Sequence, residues 1–360
     1  MAVKFCGQPA DSYDWMSATL TAPSFSAAQP RPGPAWIISQ RDDLTWFIGS
    51  ALVGYLALYL MWTGFPVFPL QVIWMLGIDG PHVLATVTRT YFDRQARQDL
   101  GPALWAIVPF LIVGPVAGYF GQLSLFFLFA VCWQHFHIVK QHYGFVMLYK
   151  AKNKERDKFD LKLDRWFLIG SLWVPLAGFV IATRDWLQPW SGLGWRGAVA
   201  LYLALAGVWI GRQVQKYAQK QVLNAPKIAL ICAVVPLQWL AFHHAAANGA
   251  DGIIRAAIAL GLFHSLQYHR LLWFHNQNRY TVPEAAERNG LAAKLSENVW
   301  TYIAVAIGLN LILSILPVAF APERDMAVAA TWGFAFMHYF LDSKIWRVHG
   351  NRELAVALRL

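Results

Sequence analysis

Three histidines, His135, His137 and His142, fall within eight residues of the segment VCWQHFHIVKQHYGFVMLY. The run is otherwise apolar and aromatic, and long enough to cross a bilayer. An imidazole in hydrocarbon must be hydrated, hydrogen-bonded or bound to a metal, so such residues are functional candidates by default. Smaller doses recur at His82 in GPHVLATVTRTYFD, at His264 and His269 in LFHSLQYHRLLWFH, and at His338 in FMHYFLDSKIWR, where Asp342 follows one turn later. Imidazoles with a carboxylate and no sulfur form a ligand set for iron or zinc. One zinc ion would use three or four of them. The surplus points to two metals, or to one metal with spare histidines that move protons or orient ligands.

Helical spacing refines the set. His135 and His142 are seven apart and share a face, which turns His137 elsewhere on an ideal helix. His338 and Asp342 are four apart and share a face. Asp79 and His82 are three apart, with Pro81 between them to bend the helix. His264 and His269, five apart, suit a π-bulge, a distortion common at functional sites. The expected metal set is therefore His82, His135, His137, His142, His264, His269 and His338 with Asp342. His275 is expected at the edge of its span, His243 and His244 at the far end of theirs, and His349 in solvent. Arg89, Lys140, Arg270, Lys344 and Arg347 lie on the same helices. Most are expected to snorkel to lipid phosphate. Lys140 and Arg270 are the candidates for holding an anionic group of substrate or lipid, with Asp93 and Asp342 as ion-pair partners. Tyr268, beside His269, is counted with them as a substrate contact.

The elements that must position these groups follow from composition. Of 360 residues, 57% are hydrophobic and only 14% charged, too few charges to cover a soluble protein of this length. Apolar runs at 44–63, 66–92, 103–121, 123–149, 165–183, 195–212, 227–246, 252–274, 299–320 and 326–347 predict an all-α, polytopic transmembrane bundle of ten spans. Basic residues concentrate in alternate loops, as in KAKNKERDKFDLKLDR, while the other loops are short or nearly neutral. That asymmetry places both termini in the cytoplasm, and the inner membrane of a bacterium is the expected location. The net charge of +10 is thus a matter of topology and anionic lipid, not of nucleic acid. Residues 1–40 read as a flexible cytoplasmic tail without the order of a signal peptide. The transmembrane domain follows over 41–348, and 349–360 form a short C-terminal segment that suits a helix on the membrane face. A short surface helix is expected around 281–297. Three scattered cysteines exclude a disulfide framework or thiolate site.

With this topology the histidines of four spans fall at one depth, near one face of the membrane. The motifs Pro81-His82, HFHIVKQHYGF, FHSLQYH and His338, in that order, resemble the bacterial Brp/Blh-type β-carotene 15,15′-dioxygenases. Over the four motif helices the resemblance implies iron and dioxygen chemistry on a carotenoid-like substrate. Two differences stand out: His264 and His269 are five apart where the family has four, and basic residues flank the motifs. The expected function is an integral-membrane, non-haem iron oxygenase acting on a lipid-soluble small molecule. The alternatives are a zinc-dependent membrane hydrolase, a metal or proton transporter, and a haem protein.

Overall fold

Apolar runs punctuated by glycine, proline and charge become long helices whose ends coincide with that punctuation. The computed structural model describes residues 33–184, 187–249 and 252–360, and among these every regular element is helical. Ten helices are long: α1 Gln40–Trp62, α2 Val67–Arg89, α3 Arg94–Tyr119, α4 Leu123–Lys152 and α5 Lys158–Thr183, then α6 Gln188–Ala218, α7 Ala225–Ala247, α8 Ile253–Tyr280, α9 Val299–Phe320 and α10 Arg324–Ile345. All except α8 and α10 are long and apolar enough to cross a membrane. Those two are as long but less apolar, because they carry His264, His269, Arg270 and His275, and His338, Asp342 and Lys344. The apolar stretches of α3, α6 and α9 face outward for most of their length, whereas half of that of α7 is buried.

The boundaries correct several expectations. Helix α5 starts at Lys158, seven residues earlier than the apolar run, because Asp160 and Asp164 are neutralised by neighbouring cations and need no solvent. Residues 281–297 form two short helices, Ala285–Asn289 and Leu291–Leu295, with Ala292, Ala293 and Leu295 buried. The C-terminal helix Arg352–Ala357 packs on protein: Leu354 is buried and Glu353 pairs with Arg279 and Arg288. Residues 1–32 of the expected tail lie outside the described residues. Beyond them Ile37 is buried, and the N–H groups of Ile37 and Ile38 donate to the Asp43 carboxylate at 2.7 and 3.0 Å.

One local distortion positions the site. Over Ile73–Asp79, helix α2 widens to π geometry before Gly80 and Pro81. Proline has no N–H to give, so the carbonyl one turn back, of Gly77 or Leu76, loses its usual partner, whereas Met75 O still accepts from Gly80 N–H. Asn310 of α9 donates to Met75 O at 2.9 Å, and His269 lies 3.1 Å from Ile78 O. A Cβ at position 80 would sit 2.3 Å from the Asn310 amide, so only glycine admits that contact. The π geometry expected at His264–His269 is absent, since α8 is an unbroken α-helix. The strain falls on the helix that bears the proline instead.

Candidate metal centre

His82 of α2, His137 of α4, His264 of α8 and His338 of α10 point into one buried space. One ligand nitrogen from each lies within 4.8 Å of all the others. His137 Nε2 and His338 Nε2 are 3.1 Å apart. Metal–nitrogen bonds of about 2.0–2.1 Å in a tetrahedron would set ligand nitrogens roughly 3.3 Å apart, so the pair is already at that spacing. His82 Nε2 and His264 Nδ1 are buried without any hydrogen-bond partner. An orphaned buried nitrogen costs about 1–3 kcal/mol. A cation accepting their lone pairs removes that cost, so the donor set fits a metal ion.

The opposite ring nitrogens of His338 and His82 are held by neighbours. Thr86 Oγ1 is 2.6 Å from His338 Nδ1, and Asp342 Oδ1 lies 3.6 Å from the same atom. The Tyr268 hydroxyl donates to Asp342 Oδ1 at 3.1 Å, and its ring meets that of His82 edge-on at 4.5 Å. Ser265 Oγ donates to Asp79 Oδ1 at 2.8 Å and is 3.3 Å from His82 Nδ1. Such contacts fix which nitrogen of each imidazole carries the proton and hold the ring's orientation. Asp342 therefore acts through His338 and Tyr268; it is not among the four clustered ligands. The expected pairs His338–Asp342 and Asp79–His82 are both present, the latter at 3.7 Å.

The other expected ligands are turned away, and each has a partner that explains it. His135 was paired with His142 as the inward face of α4, but His137 occupies that face. Two residues of α-helix rotate by about 200°, so His135 points to the opposite side. There its Nε2 donates to Leu172 O at 3.0 Å and Gln238 approaches its Nδ1 at 3.4 Å. His142 donates from Nδ1 to Ile138 O in its own helix and packs against Phe263; its Nε2 is buried without a partner but lies outside the cluster. His269 serves the opened ladder of α2 and lies 3.3 Å from the Tyr302 hydroxyl. The clustered set is thus four imidazoles that could hold a metal ion, while His135, His142 and His269 lie outside it. His275, expected at an edge, is fully buried against Asn276; His243 and His349 are exposed.

The cations also depart from expectation. Arg270 pairs with Asp42 at 2.6 Å, away from the centre, so its assignment to substrate is withdrawn. Arg89, expected to snorkel, is buried with its guanidinium 3.9 Å above the Trp346 ring. Asp93 is taken by Tyr280 and Asn289. Lys140 remains exposed beside the Tyr143 ring and lines a cavity of about 530 Å³. That cavity is walled mainly by apolar and aromatic side chains and reaches His137, Tyr268, Tyr339 and Asp342.

Thr86, Ser265 and Tyr302 were not anticipated. Each is a hydroxyl within an apolar helix, and a mid-span hydroxyl facing another helix is the signal that would have found them. No protein-family model matches this chain, and neither a curated protein nor a solved structure does.

Proposed function

We propose that this is a ten-span membrane protein with both termini in the cytoplasm, and a non-haem iron oxygenase for a lipid-soluble substrate, carotenoid-like or another lipid. The observation that carries the reading is the four-imidazole group itself, contributed by four helices, buried, and left with partnerless nitrogens beside an apolar cavity. Iron bound there would supply dioxygen activation. His82, His137, His264 and His338 would hold it. Thr86 fixes the His338 ring, while Ser265 with Asp79 fixes that of His82. Tyr268 and Asp342 form the polar end of an otherwise apolar slot, and the slot's aromatic walls exclude water from the reacting end. The motif resemblance to Brp/Blh-type dioxygenases points the same way.

Zinc is the second reading, favoured by the donor set, since structural zinc takes four protein ligands. The test is metal analysis with an optical spectrum on protein purified in detergent. One iron per chain without a Soret band supports the oxygenase. One zinc replaces it with a hydrolase or structural site, a Soret band with a haem protein. Folded protein that takes up no metal overturns the centre altogether.

A further inference from the structure

The 530 Å³ cavity continues past the centre along α4. Trp133, His137, Gly144, Met147, Leu148 and Ala151 line it in one helical stripe. From His137 to Ala151 that stripe runs fourteen residues, or about 21 Å at 1.5 Å per residue. One leaflet of hydrocarbon is roughly 15 Å deep, so the tube exceeds the length of a membrane acyl tail's own environment. Met147, Ala151 and Leu360 also line a second cavity of about 500 Å³. Its walls are of a different kind: Lys152, Lys154, Arg156 and Arg359 line it, and none of the four forms an ion pair with a carboxylate among the described residues. Lys152 donates to Arg359 O, and Arg359 donates to Asn278. The carboxylate in this wall, Glu155, is taken up by Lys150, Lys216 and Lys227. An apolar cavity that reaches His137 at one end therefore adjoins a basic basin at the other, across Met147, Ala151 and Leu360.

We propose that these adjoining cavities bind a long-chain amphiphile with an anionic head, its carboxylate or phosphate in the basin and its tail extended toward His137. The inference rests on the reading of the four-imidazole group as a centre for lipid-soluble substrates, and it narrows that class. It also sets the position of the chemistry: the chain carbon presented to the centre is remote from the head. A neutral hydrocarbon would leave the basin unused.

The test measures equilibrium binding of labelled oleate, oleoyl lysophosphatidate and oleyl alcohol to the purified full chain in neutral detergent, with and without chelator treatment. Saturable binding of one anionic ligand per chain, at least ~10-fold tighter than the alcohol, is expected. Preference for oleate identifies a free fatty acid and preference for the phosphate a membrane lipid; either supports the proposal. The triple variant Lys152→Gln, Lys154→Gln, Arg156→Gln should bring the anionic ligand down to the affinity of the alcohol. Gly144→Trp should weaken both ligands, because a side chain built there enters open space in the tube and displaces nothing. Alcohol bound as tightly as the anions, or a Gly144→Trp protein that binds like wild type, overturns the proposal. Binding that persists in a chain found to take no metal would sink the oxygenase and leave this site standing. A metal-loaded chain that binds none of the ligands would do the reverse.

Discussion

Helix α4 passes through two buried polar clusters, and they differ in one respect. Near its middle, His137 joins three other imidazoles, two of which, His82 and His264, leave a nitrogen without a partner. About 20 Å further along, Lys150 enters an ion network in which every charge is answered. Lys150 and Lys227 meet Asp164, with Lys227 at 3.0 Å. Lys216 bridges Glu155 at 2.7 Å and Asp160 at 2.6 Å, and Arg212 holds Asp160 at 2.8 Å. Trp209 donates to Asp164 at 2.8 Å. The network fixes where α5, α6 and α7 meet α4 and asks for nothing from outside. The histidine cluster is complete only with a ligand. Burial of polar groups alone does not separate architecture from function; unanswered nitrogens that converge on one point do.

Removing a member of each cluster should therefore give opposite results. His338→Ala and His137→Ala are expected to lower metal affinity by more than ~100-fold while helical content, read by circular dichroism, is retained. Full metal occupancy in both variants would show that the four-imidazole group is not a metal site. Asp164→Ala leaves the buried ammonium groups of Lys150 and Lys227 with Glu155 as their only carboxylate, a loss of about 3 kcal/mol. It should lower the thermal midpoint sharply and leave metal per folded chain unchanged. An unshifted midpoint would mean that the network holds nothing together.

The network also has an acid limit. Burial by itself would raise the Glu155 carboxyl, but the ammonium groups of Lys227, Lys216 and Lys150 outweigh it and hold the pKa down at about 2 against an ordinary 4.5. A depressed carboxyl stabilises the fold fully above its unfolded value and loses that contribution as pH falls through the folded one. Stability should thus decline between about pH 4.5 and pH 2, by on the order of 3 kcal/mol. Glu155→Gln should flatten that part of the profile. An equally steep decline in the variant would assign it to other groups.

The two clusters were unequally legible in the sequence. The helices were plain, because a span needs only apolar length. The four histidine-bearing helices and the His338–Asp342 pairing could be read from spacing alone. Rotation of α4 could not, because His135 and His137 are both imidazoles and only their neighbours distinguish them. Gln238, alone within ICAVVPLQWLAF, was the trace of what His135 faces. The ion network was hidden inside a loop that looked solvent-exposed, since charge in a sequence does not announce that it will be paired.

A smaller effect is expected where a neighbour only orients a ligand. Thr86→Val removes the hydroxyl 2.6 Å from His338 Nδ1 and keeps the side chain's shape. Metal affinity should fall by about 10–100-fold, less than when a ligand is lost. Dialysis against a competing chelator measures it, and wild-type affinity would leave Thr86 with no part in the site.

The least effect on metal is expected from His135, although it lies only two residues from His137. Its Nε2–H donates to Leu172 O and its Nδ1 faces the Gln238 amide, so both nitrogens are already committed to protein. His135→Leu should leave metal content at the wild-type level. Stability should fall by about 1–2 kcal/mol, because a buried carbonyl and a buried amide lose a partner while the side chain stays large. Gln238 can still donate to Leu172 O, at 3.3 Å, which keeps the loss small. The double variant His135→Leu, Gln238→Leu takes both side-chain donors from Leu172 O and should cost more than the single change. Metal lost from His135→Leu with the fold intact would return His135 to the centre and undo the distinction between answered and unanswered nitrogens.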